Sequence, residues 1–84
     1  MQDHLVLMRS LTYAQRAQRA LNEAGCRTGL IRTPPELWRE GCGWSVSVRK
    51  CEIREAVARL RSAGLPPLRV YARENGKVTG EVRL

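Results

Sequence analysis

The pattern of apolar residues predicts an α+β fold in which two helices cover one face of an antiparallel sheet. Apolar runs and helical stripes follow the order strand, helix, strand, strand, helix, strand. The two halves also echo each other at an offset of 39 residues, with Ala17 and Leu21 corresponding to Ala56 and Leu60. Each half is therefore predicted to be one strand–helix–strand unit.

The first unit begins with a short apolar run over residues 4–9, which has the length of a strand. A helix is predicted over residues 11–24, because its apolar side chains recur at three- and four-residue steps and form one buried stripe. Ser10 or Thr12 can cap its start, and Gly25 can end it in the left-handed conformation. Residues 26–33 form the second predicted strand, which Pro34 and Pro35 terminate.

The second unit begins where Trp44, Val46 and Val48 alternate with polar residues, as in a strand with one buried face. A helix is predicted over about residues 51–63, followed by a fourth strand over residues 66–73. Asn75-Gly76 is a strong hairpin signal, so a short fifth strand is expected over about residues 77–82. We expect one domain over residues 1–73, with residues 74–84 as a hairpin extension or a flexible tail.

Two such units with right-handed crossovers give the strand order 4-1-3-2 with both helices on one face, which is the ferredoxin-like sandwich. The 84-residue length allows only one small core.

No apolar run is long enough to cross a membrane, and the N-terminus lacks the pattern of a signal peptide. We therefore expect a cytoplasmic protein with free thiols rather than a disulfide framework.

This topology separates the three cysteines. Cys42 falls in the loop at one edge of the sheet, together with the start of the first helix, whereas Cys26 and Cys51 fall at the opposite edge. A strand spans on the order of 17–20 Å, so Cys42 cannot share a metal ion with the other two, and we expect no metal site and no cofactor. Cys26 and Cys51 are expected to fill space in the core, with the alternative that they meet across the hairpin.

Cys42 is the candidate functional residue, because it lies between Gly41 and Gly43 beside the predicted N-terminus of the first helix. Positive charge at that terminus and nearby arginines favour a thiolate. No histidine can reach this edge, so a hydrolase-type Cys-His pair cannot form, and a non-enzymatic carrier of sulfur or selenium is the better interpretation. The alternative is that Gly-Cys-Gly is only a tight turn before a strand.

The segments "LVLMRS", "YAQRAQRALNEAG", "LIRTPPEL" and "CGWSVSV" together resemble the putative selenium/sulfur carrier protein-like family over roughly residues 4–72. The resemblance implies that Cys42 is a carrier thiol, supported by Gly41, Gly43, Thr33 and Pro34 in the loop and by Ser10 and Thr12 at the helix start. It also implies a cysteine desulfurase or a TusA-like transfer protein as partner. The chain departs from the family pattern at "WREG", where serines are usual, and at Pro35, where arginine is frequent.

Two alternative functions follow from other features. The net charge of +7 suggests a nucleic-acid-binding module, although the arginines are scattered and the open sheet face shows no aromatic pair on which bases could stack. A regulatory or dimerisation module is the other alternative, because Val6 and Met8 are expected to form an apolar patch on the open face that a second copy would cover.

Overall fold

A computed structural model describes residues 2–37, 43–49 and 51–84 of the chain. These residues form five strands and two helices. In chain order the elements are β1 (Gln2–Met8), α1 (Leu11–Glu23), β2 (Arg27–Arg32), β3 (Trp44–Arg49), α2 (Ile53–Ser62), β4 (Arg69–Glu74) and β5 (Lys77–Val82).

The five strands form one sheet in the order β2-β3-β1-β4-β5, and every neighbouring pair is antiparallel. The first four strands thus have the predicted ferredoxin-like order, and β5 extends the sheet beyond β4. This order places β1 at the centre, where it pairs with β3 on one side and β4 on the other. The predicted fold class is confirmed, including its short fifth strand.

Helix α1 begins at a serine cap and ends before a glycine, as the sequence predicts. The backbone N–H of Tyr13 donates to Ser10 Oγ at 3.2 Å, and Gly25 has a φ of +89°. The buried side chains of α1 are Ala14, Ala17 and Leu21. Two of these three are alanines, which allow the helix to pack close to the sheet.

The core lies between the helices and one face of the sheet. Its members come from both helices and from β1, β3 and β4, and they include Val6, Met8, Leu21, Val46, Val57, Leu60 and Val70. Among the described residues, no helix combines the length and the apolar character that crossing a bilayer requires.

The expected open-face patch of Val6 and Met8 is wrong. Val6 lies directly opposite Val46, and Met8 lies opposite Trp44. Directly opposed residues share a face of the sheet, so Val6 and Met8 point towards the helices with Trp44 and Val46. Both are completely or almost completely buried in the core. The alternation of β1 therefore places Leu5 and Leu7, rather than Val6 and Met8, on the other face.

The hairpin between β4 and β5 has the turn that its sequence predicts. Asn75 has a φ of 52° and Gly76 a φ of +83°, and two consecutive positive values are characteristic of a type I′ turn. Such a turn has the same twist as the strands it joins, so β5 pairs along β4 from Glu74 to Val70. An ion pair at 3.4 Å between Arg69 and Glu81 joins the two strands near their other end.

Candidate functional site

Three strands and one helix reach the same edge of the sheet. Met8 at the end of β1 lies opposite Trp44 at the start of β3, and Trp44 also lies opposite Arg32 at the end of β2. Helix α1 begins three residues after Met8, so its N-terminus belongs to this edge. We call it the loop edge, because the segment between Arg32 and Trp44 connects β2 to β3 here.

Ser10 and Thr12 have different positions at the start of α1. Ser10 is the N-cap, and its carbonyl oxygen also accepts the Ala14 N–H at 2.9 Å. Thr12 is the second residue of the helix and is exposed. Because Ser10 Oγ already accepts the Tyr13 N–H, that amide is not available to an anion at the loop edge.

Thr33 and Gly43 close the base of the loop. The Thr33 N–H donates to the Gly43 carbonyl oxygen at 3.0 Å, which continues the β2–β3 pairing by one residue on each strand. The hydroxyls of Thr33 and Ser45 are hydrogen-bonded at 2.6 Å, and both residues are buried. After Thr33, the Pro34 carbonyl accepts the Leu37 N–H at 3.0 Å and begins a turn. Thr33 therefore anchors the loop to the sheet.

Two arginines lie over aromatic rings at the loop edge. The guanidinium of Arg9 is 5.1 Å from the centre of the Tyr13 ring, and that of Arg32 is 5.7 Å from the Trp44 ring. Contacts of this kind are attractive because the face of an aromatic ring is electron-rich. Both contacts thus place a positive charge at the loop edge.

Cys42 and Gly41 lie outside the described residues, so the position of the candidate thiol stays a prediction. Gly43, the next residue in the sequence, is buried at the loop edge. From the predicted set, Thr33 and Gly43 are hydrogen-bonded to each other, and Ser10 lies at the same edge of the sheet, at the start of α1. Pro34 and Thr12 are close to these residues in the chain. Within the described ranges, no group of histidine, cysteine and acidic side chains is arranged to hold a metal ion.

The other two cysteines form a disulfide at the opposite edge. Cys26 and Cys51 are bonded to each other, with their Cα atoms 5.3 Å apart. The expectation that both are free is therefore wrong, and the alternative that they meet across the hairpin is confirmed. The cause is the strand register: Arg27 lies opposite Arg49, so the residues just beyond them come close together. The cytoplasmic location, from which free thiols were expected, stays a prediction.

A charge cluster that the sequence did not reveal lies on the face away from the helices. Asp3 receives two hydrogen bonds from Arg73, from Nε at 2.9 Å and from a terminal nitrogen at 2.6 Å. Arg49 approaches the same carboxylate at 3.7 Å from the other neighbouring strand. The hydrogen bonds from Arg73 are the main reason that the pKa of Asp3 is lowered from its usual 3.8. The cluster joins β3, β1 and β4.

The rest of that face offers little aromatic surface to a partner. Tyr71 lies there, opposite Leu5, but only 8% of it is exposed. Leu5 and Leu7 are also almost fully buried. Base stacking needs an exposed aromatic ring, and the one aromatic residue on this face in the described part of the chain does not provide it. This geometry does not favour the nucleic-acid interpretation.

No curated protein and no solved structure shows a significant match to the chain. The family model described as "Putative Se/S carrier protein-like" does match, over residues 3–72. The match begins in β1 and ends in β4, so it includes both strand–helix–strand units and the connecting loop with Cys42. The chain therefore belongs to the Se/S carrier protein-like family.

Proposed function

We propose that the protein is a non-enzymatic carrier that holds a sulfur or selenium atom on the thiol of Cys42 and presents it to partner enzymes. The observation that carries this proposal is the family match across residues 3–72, which contains the Cys-Gly segment. The geometry of the loop edge supports it, because Thr33 and Gly43 fasten both ends of the segment in which Cys42 lies.

The disulfide gives further support. Because Cys26 and Cys51 are bonded to each other, Cys42 is the remaining cysteine of the three. A persulfide is readily attacked by a neighbouring thiol, which would remove the carried atom. The disulfide lies at the far end of β3, and a strand of this length spans on the order of 20 Å. The other two sulfurs are thus kept away from the loop edge.

The charges at the loop edge suit the same role. A persulfide is an anion at neutral pH, and the guanidinium groups of Arg9 and Arg32 at the loop edge would stabilise negative charge there. In the loading step, the Cys42 thiolate attacks the terminal sulfur of a persulfide on the donor enzyme. A new S–S bond forms on Cys42, the S–S bond of the donor breaks, and the donor cysteine leaves as a thiolate. A cysteine desulfurase or a TusA-like protein is the proposed donor.

The test is to incubate the full chain with a cysteine desulfurase and cysteine and to measure its intact mass without reductant. We expect an adduct of about 32 Da, or of about 80 Da when selenocysteine is supplied, since these are the masses of one sulfur or selenium atom. The matched control is Cys42→Ser, which should show no adduct while its Cys26–Cys51 disulfide remains intact. Failure of several desulfurases to load the wild-type chain, or equal loading of Cys42→Ser, would contradict the proposal.

A further inference from the structure

The Cys26–Cys51 pair has two sulfurs in unequal surroundings. Cys26 is 6% exposed and belongs to the hydrophobic core, and its N–H donates to the Leu21 carbonyl at 3.0 Å. Cys51 is half-buried and packs against the core from its rim. Cys51 is thus the more exposed residue of the pair, which favours it as the point of attack for a thiol.

A small recess opens beside the disulfide. Its walls are formed by Ala24, Cys26, Cys51, Glu55, Ala56 and Arg59, and its volume is about 50 Å³. A space of this size holds roughly three water molecules, which is enough for the end of one cysteine side chain. The wall carries one charge of each sign, from Glu55 and Arg59, so the recess has no net negative charge that would repel an incoming thiolate.

The strand register keeps the two sulfurs close when the bond between them is broken. Arg27 and Arg49 are paired at the end of the β2–β3 ladder, next to Cys26 and two residues before Cys51. The ladder continues from this pair to Arg32 and Trp44, so the hairpin does not depend on the disulfide for its alignment.

From these observations we infer that the Cys26–Cys51 pair is a thiol–disulfide exchange site, with Cys51 as the sulfur that a dithiol reductant attacks. The inference concerns the edge opposite Cys42 and does not depend on the proposed carrier function. The partner it implies is a protein or small molecule with two neighbouring thiols. Nothing in the family match assigns a role to this pair of cysteines.

The exchange proceeds in two steps. A thiolate of the reductant attacks Sγ of Cys51, the Cys26–Cys51 bond breaks, and Cys26 leaves as a thiolate that takes a proton from water. The mixed disulfide joins Cys51 to the first sulfur of the reductant, and the second thiolate of the reductant then attacks that first sulfur. This step forms the reductant's own disulfide and releases Cys51 as a thiolate, so two electrons pass from the dithiol to the pair.

The first test compares the two cysteines directly. Cys26→Ser/Cys42→Ser retains only Cys51, and Cys51→Ser/Cys42→Ser retains only Cys26. Each variant is incubated with oxidised glutathione, and the glutathione adduct is followed by intact mass. We expect the Cys51 thiol to react at least about tenfold faster than the Cys26 thiol, because it is more accessible. Equal rates, or a faster Cys26, would overturn the assignment of Cys51.

The second test uses the unaltered disulfide and does not rely on variants that lack it. The wild-type chain is reduced with dithiothreitol at urea concentrations below the unfolding transition. Direct attack on a folded exchange site gives a rate that does not depend on urea, whereas a bond that opens only after global unfolding is reduced faster as the unfolded fraction rises. A urea-independent rate, equal in wild type and Cys42→Ser, supports the inference, and a rate that follows unfolding refutes it.

Discussion

Breaking the Cys26–Cys51 bond should lower the free energy of unfolding. The size of the effect follows from the length of the loop that the disulfide closes. The two cysteines are 25 residues apart in the sequence. A cross-link over that separation removes enough entropy from the unfolded chain to stabilise the native state by about 3.5 kcal/mol. For a domain of this size, the same change corresponds to a fall in Tm of roughly 14–28 °C.

The assay is urea unfolding of the oxidised and the reduced chain, followed by far-UV circular dichroism and tryptophan fluorescence. Besides a smaller free energy of unfolding, the reduced chain should show a larger m-value, because its unfolded state is less compact without the cross-link. Cys42→Ala is the matched control and should show the same difference between its oxidised and reduced forms. A difference in the free energy of unfolding below about 1 kcal/mol between the oxidised and reduced chains would refute this loop-entropy argument.

Two further predictions concern the face away from the helices. Replacing Arg73 with Met should cost about 1.5–3 kcal/mol at pH 7, because its two hydrogen bonds to a buried carboxylate are lost. Since the pKa of Asp3 is lowered in the folded state, this stabilisation is present above its usual pKa of 3.8 and is lost as the pH falls further. The wild-type and variant unfolding curves should therefore converge in acid, and a constant gap would contradict this. Gly29→Ala should cost about 1–3 kcal/mol in urea unfolding, because the new Cβ would lie 2.8 Å from Ser47 Oγ. Ser47→Ala in the same chain should recover most of that loss, and an additive double variant would show that the clash is not the cause.

Features set by short stretches of sequence could be predicted well. The cap at Ser10, the end of α1 before Gly25 and the turn at Asn75-Gly76 each depend on residues next to them in the chain. The structure begins α2 two residues later than the sequence predicts. The helix begins at Ile53, after Glu52, whose side chain accepts the Glu55 N–H at 3.2 Å. Glutamate is uncommon at this position, so the cap gave no recognisable signal.

Features that join distant strands could not be read from local patterns. The ion cluster brings together Asp3 and Arg73, which are 70 residues apart, and it forms only because β1 pairs with β4 in one particular register. The disulfide likewise depends on the β2–β3 register. The sequence does not show which face of β1 packs against the helices, because the four consecutive buried residues Leu5 to Met8 are all apolar and do not alternate with polar ones. For the candidate site, the sequence correctly predicted the edge of the sheet at which β2 connects to β3. The position of Cys42 within that connection stays a prediction.

The family match ends at residue 72, in the middle of β4, and β5 lies beyond it. In a four-stranded sheet, the outer backbone groups of β4 would be free to bind an extended peptide or a second copy. Here β5 occupies that position along most of β4. A partner that adds a strand to this sheet must therefore pair with β2 or with β5 itself. The β4–β5 hairpin thus determines which edges of the sheet can pair with another chain through main-chain hydrogen bonds.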